Sequence, residues 1–139
     1  MAADPRRVFA LAADVERWPE LLPHYRYVRR LPDPTGERRF AMGARRGAIP
    51  VRWEAVQRPR PEDGVIEFVH TGGVTRGMRV AWRIVGRDGG SDVSIEHELR
   101  LRWPIVGEAV ASGVIGPHFV EAIAGRTLRR VKQLAEATS

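Results

Sequence analysis

The feature that most constrains this chain is a strict alternation of residue types between Asp92 and Trp103. Every second position is apolar, with His97 the single exception, and the positions between them are polar or charged. A period of two over this length predicts a β-strand with one face on a core and the other in water. Pro104 ends the predicted strand, because proline cannot donate to the hydrogen-bond ladder of a sheet.

A long amphipathic helix is predicted over residues 118–137, after Gly116 and Pro117. Its apolar positions recur at spacings of three and four, and most of its basic residues lie off that stripe. The stripe consists of Val120, Ile123, Thr127, Val131 and Leu134. We expect this stripe to cover the inner face of a sheet.

Two short helices are predicted to open the chain. Asp4 is placed to cap the first helix, and Pro5 takes the first helical position, where a missing N–H costs nothing. Asp14 is a candidate second cap. Pro19 and Pro23 keep the second helix short.

Five more strands are predicted between these helices and the alternating segment, each bounded by glycine, proline or polar turn residues. Their ranges are 25–31, 37–44, 49–58, 65–71 and 76–87. Short connections between consecutive strands predict an antiparallel meander. The fold class is therefore α+β, with a curved antiparallel sheet wrapped around the C-terminal helix. A cavity is expected between the two layers, since the sheet is wider than a helix of ~10 Å diameter.

Length and composition limit the classes of protein to which this chain can belong. A chain of 139 residues forms one domain, residues 1–139. It has no cysteine, which excludes disulfides and thiolate chemistry. No apolar run reaches the ~20 residues of a membrane span, and the N-terminus shows no signal-peptide pattern, so we expect a soluble, cytoplasmic domain.

The formal net charge of +6 raises the question of an acidic partner. The basic residues are almost all arginines, and they are scattered along every segment, where they alternate with apolar residues. This pattern is typical of the outer faces of half-buried strands, because a nucleic-acid surface requires clustered charge. We expect no DNA partner.

Two local strings resemble the SRPBCC/START-like helix-grip superfamily, which includes START-type lipid-transfer domains, pollen-allergen-like proteins and polyketide cyclases. Within it, the polyketide cyclase/dehydrase and coenzyme Q-binding branch is most similar. The N-terminal string is Pro5-x-x-Val8-Phe9 followed by Asp14-x-x-x-Trp18-Pro19-x-x-x-Pro23. The C-terminal string is Phe119-Val120-x-x-Ile123-Ala124-x-x-Thr127-Leu128-x-x-x-Lys132. The resemblance implies a helix-grip fold with a pocket for an apolar or aromatic molecule, but fold analogy names neither ligand nor reaction.

The chain departs from that family pattern at its start. The family has a strand before the first helix, which pairs with the last strand of the sheet, whereas only residues 1–3 precede Asp4 here. An exposed edge on the last strand would be a pairing liability. We therefore predict either that the natural start lies upstream or that a second copy covers this edge as a homodimer.

Two histidines are the chemically informative candidates on the predicted inner face. His97 and His70 share the parity of the apolar positions of their strands, and neutral imidazole can act as acid, base or hydrogen-bond donor. In the family's strand order one strand separates them, so they would lie ~10 Å apart, twice the ~4.8 Å strand spacing. That distance suits two polar anchors on one ligand. The alternative is that each is a core residue paired with a neighbour or a water.

Aromatic and apolar residues complete the predicted site. Trp53 and Trp82 share the inner face, where they form either core or the walls of a slot for a flat ligand. The full predicted set is Trp53, Phe68, His70, Val80, Trp82, His97, Leu99, Ile123 and Thr127. Arg45 and Arg46, at a predicted turn, either border the pocket mouth and meet an anionic group or are simply exposed. No catalytic constellation, metal-ligand spacing or nucleotide motif is present, so we expect no metal and no cofactor.

These features predict a protein that binds a hydrophobic, aromatic or polycyclic small molecule. Whether it is also an enzyme, a polyketide cyclase/dehydratase, stays open, because such a reaction can proceed largely by holding a reactive chain in one conformation. Two alternatives are a lipid or quinone carrier without turnover and an interaction protein that binds RNA or the ribosome. The related branch contains ribosome-associated toxins, and one contiguous arginine face would favour that last alternative.

Overall fold

The structure is a computed structural model, and it describes residues 1–46, 48–73, 75–98 and 117–137. Its helices are α1 (Pro5–Ala13), α2 (Trp18–Leu21) and α3 (Pro117–Glu136), with a 3₁₀ turn (Val15–Arg17) directly before α2. Its strands are β1 (Tyr25–Leu31), β2 (Arg38–Arg46), β3 (Ile49–Arg60), β4 (Val65–Gly73), β5 (Arg79–Arg87) and β6 (Gly90–Glu98).

The six strands form one antiparallel sheet in the order β1-β2-β3-β4-β5-β6. Each strand pairs with its neighbour in sequence, so the predicted meander and the α+β class are confirmed. Gly64 shows why the turns can be this short: its φ of 66° is in the left-handed region, which glycine adopts without strain.

One face of the sheet carries the core, as the alternation predicts. On β4 and β5 the buried side chains Ile66, Phe68, His70, Trp82 and Ile84 recur at every second position, whereas β3 also buries three consecutive residues, Ala55–Gln57. The inner face includes Phe40, Met42, Val51, Trp53, Ala55, Ile66, Phe68, Trp82 and Ile84, and the helices add Val8, Ala12, Trp18, Val131 and Ala135. Burial of these side chains is the main source of stability.

Both predicted N-terminal caps stand at the start of a helical segment, but only the first caps with its side chain. The Oδ1 of Asp4 accepts a hydrogen bond of 2.8 Å from the backbone N–H of Arg6, which caps α1. Asp14 makes no side-chain cap bond. Its backbone N–H donates to the carbonyl of Ala10 and so ends α1, while its carbonyl accepts from the N–H of Arg17 and starts the 3₁₀ turn.

Several strand boundaries differ from the prediction because a neighbouring strand supplies partners. β2 continues through Arg45 and Arg46, predicted as a turn, since β3 pairs with both. β4 continues through Gly73, where Trp53 lies opposite. β5 begins at Arg79 rather than at residue 76, because residues 75–77 form a turn. The described part of β6 ends at Glu98, so residues 99–103 of the predicted strand lie outside the described residues.

A β-bulge in β1 explains why its alternation is ambiguous in the sequence. The register of β1 against β2 shifts between Tyr25 and Tyr27. Tyr25 lies opposite Ala44, and Val28 opposite Met42, so Tyr25 and Val28 both belong to the inner face although they are three residues apart. The extra residue in the bulge moves Tyr27 to the other side of the sheet.

The first residues of the chain lie along the start of β6. The terminal ammonium of Met1 donates to the carbonyl of Ser91 at 2.7 Å, and the Ser91 N–H donates back to the Met1 carbonyl at 2.8 Å. The Ser91 hydroxyl also donates to the carbonyl of Ala3. Apart from these bonds, the strand partner of β6 within the described ranges is β5. The expected covering of this edge by an upstream strand or a second copy stays a prediction.

Helices α1 and α3 are joined at the C-terminal end of α3. The guanidinium of Arg7 donates to the carbonyls of Leu134 and Ala135, at 3.1 and 3.0 Å. These carbonyls belong to the last turn of α3, where no intrahelical donor is available. Among the helices that the structure describes, none combines the length and hydrophobicity needed to cross a membrane.

Candidate ligand-binding site

A cavity of about 80 Å³ lies between the inner face of the sheet and helix α3. Strands β1 to β6 contribute to its wall, together with α2 and α3. The described lining consists of Trp18, Tyr25, Met42, Val51, Trp53, Phe68, His70, Thr75, Met78, Val80, Trp82, Ile95, His97, Ile123, Ala124 and Thr127. Most of this lining is apolar, and it includes neither a carboxylate nor a guanidinium.

Eight of the nine predicted ligand-binding residues lie on this wall. They are Trp53, Phe68, His70, Val80, Trp82, His97, Ile123 and Thr127. Leu99 lies outside the described residues. Strand β5 separates the strands of the two histidines, as the predicted order requires. The register places Phe68, Val80 and His97 side by side across the sheet, with His70 one inward position further along β4.

His70 is a neutral imidazole with a partner on one nitrogen. Its Nδ1 lies 2.6 Å from the hydroxyl of Thr75, and its ring stacks on Trp53 with centroids 5.8 Å apart. Burial lowers the pKa of His70 to about 4, because a charged ring would lose its hydration there. At neutral pH this side chain offers hydrogen bonds and a flat surface but no positive charge.

His97 differs from His70 in its hydrogen bonding. Its Nδ1 is buried and has no hydrogen-bond partner among the described residues. Buried polar atoms are almost always paired, and leaving one unpaired costs roughly 1–3 kcal/mol. Since His97 lines the cavity, this nitrogen is a polar atom of the wall that lacks a described partner. Thr71, whose Oγ1 is also buried without a described partner, is not part of the lining.

His24 is buried like His70, and it joins the cavity wall to helix α3. Its Nε2 lies 2.8 Å from the hydroxyl oxygen of Thr127, and that hydroxyl donates to the carbonyl of Ile123 at 2.8 Å. The phenol of Tyr25 is also hydrogen-bonded to Thr127. Since Thr127 gives its single proton to Ile123, its oxygen accepts from Nε2 of His24.

The titration of these groups follows from burial. Burial, and then the nearby charge of Arg126, lowers the pKa of His24 to about 4, against a raising effect of the Ile123 backbone. Burial also raises the pKa of Tyr25, which the hydrogen bond with Thr127 only partly offsets. Both side chains are therefore neutral at pH 7. The pair of His24 and Tyr25 was not predicted from the sequence, where its signal is Thr127, a hydroxyl in an otherwise apolar helix stripe.

The polar atoms of the wall define what the cavity can do chemically. It can exclude water around an apolar group and can hydrogen-bond oxygen atoms of that group through neutral donors and acceptors. Within the described part of the chain, no three His, Asp or Glu side chains converge as a metal site would require.

A family comparison connects this arrangement to known proteins. The family described as polyketide cyclase / dehydrase and lipid transport matches residues 1–117 of the sequence, which includes all six strands. The chain belongs to the polyketide cyclase/dehydrase family. The match confirms the resemblance that the two local strings indicate, and it associates the domain with hydrophobic ligands as a class.

Solved structures with the same fold include members of the START superfamily. A protein of Thermus thermophilus, TTHA0849, is 20% identical with a TM-score of 0.81, over 100% of this chain and 94% of that one. The Zhui aromatase/cyclase of Streptomyces sp. R1128 is 19% identical with a TM-score of 0.75, over 97% and 88%. A START superfamily protein of Mycobacterium smegmatis is 18% identical with a TM-score of 0.61, over 96% and 93%. At these identities the likeness concerns the fold. A search of curated protein sequences gives no significant match.

Proposed function

We propose that this polyketide cyclase/dehydrase family domain binds a flat, oxygen-bearing hydrophobic molecule in the cavity between the sheet and α3. The observation that carries the proposal is the Nδ1 of His97, buried on an apolar wall without a described partner. A ligand oxygen at this position would form the missing hydrogen bond. The proposal includes two expectations from the sequence: that the ligand lies in a cavity under the long helix, and that the predicted residues contact it.

The size of the cavity limits the part of the ligand that can enter without rearrangement. Its volume of about 80 Å³ is below the roughly 300–1,000 Å³ of ligand pockets and below the ~150 Å³ of a cavity that holds benzene. A ring therefore enters only if side chains move. Met42 and Met78 line the cavity, and methionine is the residue type that repacks most easily.

The pKa values of the buried histidines favour recognition of a ligand over proton transfer to it. His70 and His24 have pKa values of about 4, so at pH 7 they are poor proton donors, and general acid–base catalysis works best with a pKa near the working pH. A cyclase or dehydratase would then act mainly by holding its substrate in a reactive conformation. A lipid carrier without turnover is less favoured, because a carrier needs a continuous apolar tunnel without buried polar anchors.

Thermal melting with matched probes tests the proposal. We expect 1-naphthol to raise the melting temperature more than naphthalene does, since only naphthol offers an oxygen to His97. The variant His97→Phe should fold as well as the parent, because it removes an unpaired buried atom, and it should lose the preference for naphthol. Ser94→Ala, at an exposed position of the same strand, is the control and should behave as the parent.

The opposite result is equally well defined. If neither probe shifts the melting temperature and His97→Phe is strongly destabilised, then His97 is a core residue with a partner and the cavity is not a binding site. Native mass spectrometry of the purified protein gives an independent readout, since a co-purified aromatic compound would identify the ligand class directly.

A further inference from the structure

A second recess lies on the opposite side of Thr127 from the cavity, and it is strongly basic. Its volume is about 510 Å³. Four arginines line it: Arg45 from the end of β2, and Arg126, Arg129 and Arg130 from two turns of α3. Pro23, His24 and Gln133 complete the lining, and no described lining residue is acidic. We call these seven residues the arginine pocket.

Four guanidinium groups meet in the arginine pocket without a described counter-charge. Five arginines of the sheet form ion pairs with a carboxylate, namely Arg39, Arg58, Arg60, Arg83 and Arg87. Within the described residues, none of the four pocket arginines does so. Like charges one helical turn apart, as at positions 126 and 130, are destabilising, so this concentration of charge favours an anion from outside.

Several contacts hold the pocket in place without using its charge. Arg130 donates from Nε to the carbonyl of Leu21 at 2.9 Å and from Nη1 to the side chain of Gln133 at 3.2 Å. The backbone N–H of Arg45 donates to the carbonyl of His24 at 2.9 Å. Among the described residues, the side chains of Arg126 and Arg129 have no hydrogen-bond partner.

We propose that the arginine pocket binds a phosphate group. Guanidinium groups match the geometry of phosphate oxygens with two parallel hydrogen bonds, and a dianion compensates several positive charges where a single carboxylate compensates one. The site is an open recess between a strand end and a helix, in which Arg45, Arg126 and Arg129 are exposed to an anion in solution. This proposal does not depend on ligand binding in the cavity.

His24 provides a direct reporter of an anion in this pocket. It faces Arg45, Arg126, Arg129 and Arg130 on one side, and Tyr25 and Thr127 on the other. The charge of Arg126 contributes to its lowered pKa. A bound phosphate would offset that charge and raise the pKa of His24. The same imidazole bonds to Thr127, a residue of the cavity wall. Binding of an anion in the arginine pocket would therefore change the hydrogen bonding of a residue that lines the cavity.

The first experiment is an NMR titration of the full chain with inorganic phosphate at pH 7, with sodium chloride at matched ionic strength as the reference. We expect saturable shifts around His24 and α3 with phosphate only. The double variant R126Q/R129Q should weaken phosphate binding by about tenfold or more. The control R52Q/R76Q removes two exposed arginines that lie outside the pocket, so it carries the same net charge and should change binding by less than about twofold.

Further arms identify the source of the phosphate. If the phosphate belongs to the cavity ligand, 1-naphthyl phosphate will bind more tightly than either inorganic phosphate or 1-naphthol, and both R126Q/R129Q and His97→Phe will weaken it. If it is a separate anion, naphthol and phosphate will bind independently. Both results support a phosphate site. Naphthol alone reports on the cavity, so failure of the cavity proposal is recognised separately.

Two results would overturn the proposal. One is phosphate binding that does not saturate, or that both double variants weaken equally, since either indicates diffuse charge. The other is a single-stranded RNA oligonucleotide that binds with a steep salt dependence and equal sensitivity to both double variants, which would indicate a broad polyanion surface.

Discussion

The imidazole of His24 and the hydroxyl of Thr127 are 103 positions apart in sequence, and their Nε2 and Oγ1 atoms lie 2.8 Å apart. This bond connects the residue just before β1 to the middle of α3, and it separates the apolar cavity from the arginine pocket. Both partners are buried, so the bond is made away from competing water.

Thr127→Val should destabilise the protein. Valine keeps the shape of threonine but removes the acceptor of His24, and a buried polar group left unpaired costs roughly 1–3 kcal/mol. Thr127→Ser keeps the hydroxyl and serves as the matched control, with a much smaller loss. Urea unfolding at pH 7 measures both, and equal losses for valine and serine would contradict the role of the hydroxyl.

Stability should fall as the pH is lowered from 7.5 to 5.5. The pKa values of His24 and His70 are lowered to about 4 in the folded state, from 6.5 in the absence of the fold. Between these values the unfolded chain binds protons that the folded chain does not. The free energy of unfolding therefore decreases as the pH is lowered, by up to ~1.4 kcal/mol per pH unit for each histidine. Urea unfolding across this range tests it. His70→Phe should reduce the slope by about half, whatever its effect on absolute stability.

Gln57→Leu should destabilise the protein by roughly 1–3 kcal/mol, the cost of unpaired buried groups. The Gln57 amide is buried, donates to the carbonyl of Ala13 at the end of α1, and accepts from Arg38, each at 2.8 Å. Leucine fills the volume but leaves both partners without their bond. The neighbouring exposed change Arg58→Gln is the control, with an effect within ~0.5 kcal/mol. A loss no larger than that for Gln57→Leu would show that the two bonds contribute little.

Trp82→Ala should cost roughly 3–5 kcal/mol, the range for a buried aromatic residue. Trp82 is 2% exposed and its ring lies 6.2 Å from that of Trp18. The cavity beside it is small, so most of its contacts are with the protein. The enlarged cavity should then bind naphthalene, which would raise the melting temperature of the variant more than that of the parent. Val85→Ala, at an exposed position of the same strand, should do neither.

The sequence predicts the sheet well because each strand carries its own alternation and its own turn signals. The order of elements, the range of β1, the inward position of Trp53 and Trp82, and the long helix all follow from such local patterns. The bulge in β1 does not, because a single extra residue only makes the alternation ambiguous there. The extension of β2 through Arg46 depends on a neighbouring strand, which residue types alone do not reveal.

The arginine pocket shows a different limit of sequence patterns. Along the chain the arginines are evenly scattered, which predicts solvated outer faces. The fold nevertheless brings Arg45 to the three arginines of α3, some 80 positions away. Long-range pairs such as His24 with Thr127 are hidden for the same reason. Charge scattered in sequence is therefore no measure of charge scattered in space.

The two hydrogen bonds from Arg7 fix the last turn of α3, so a tilt of this helix about that end would move its residues in proportion to their distance from it. Ile123, on the cavity wall, lies about 18 Å from Ala135, at 1.5 Å per residue. A tilt of about 5° around that fixed end would lift Ile123 by about 1.6 Å, yet move Arg130 by only about 0.7 Å. Such a tilt would widen the cavity mainly at Ile123, and it would also lengthen the hydrogen bond of 2.8 Å between His24 and Thr127. Opening of the cavity for a ligand would then need a rigid-body tilt of α3 without unfolding of the helix.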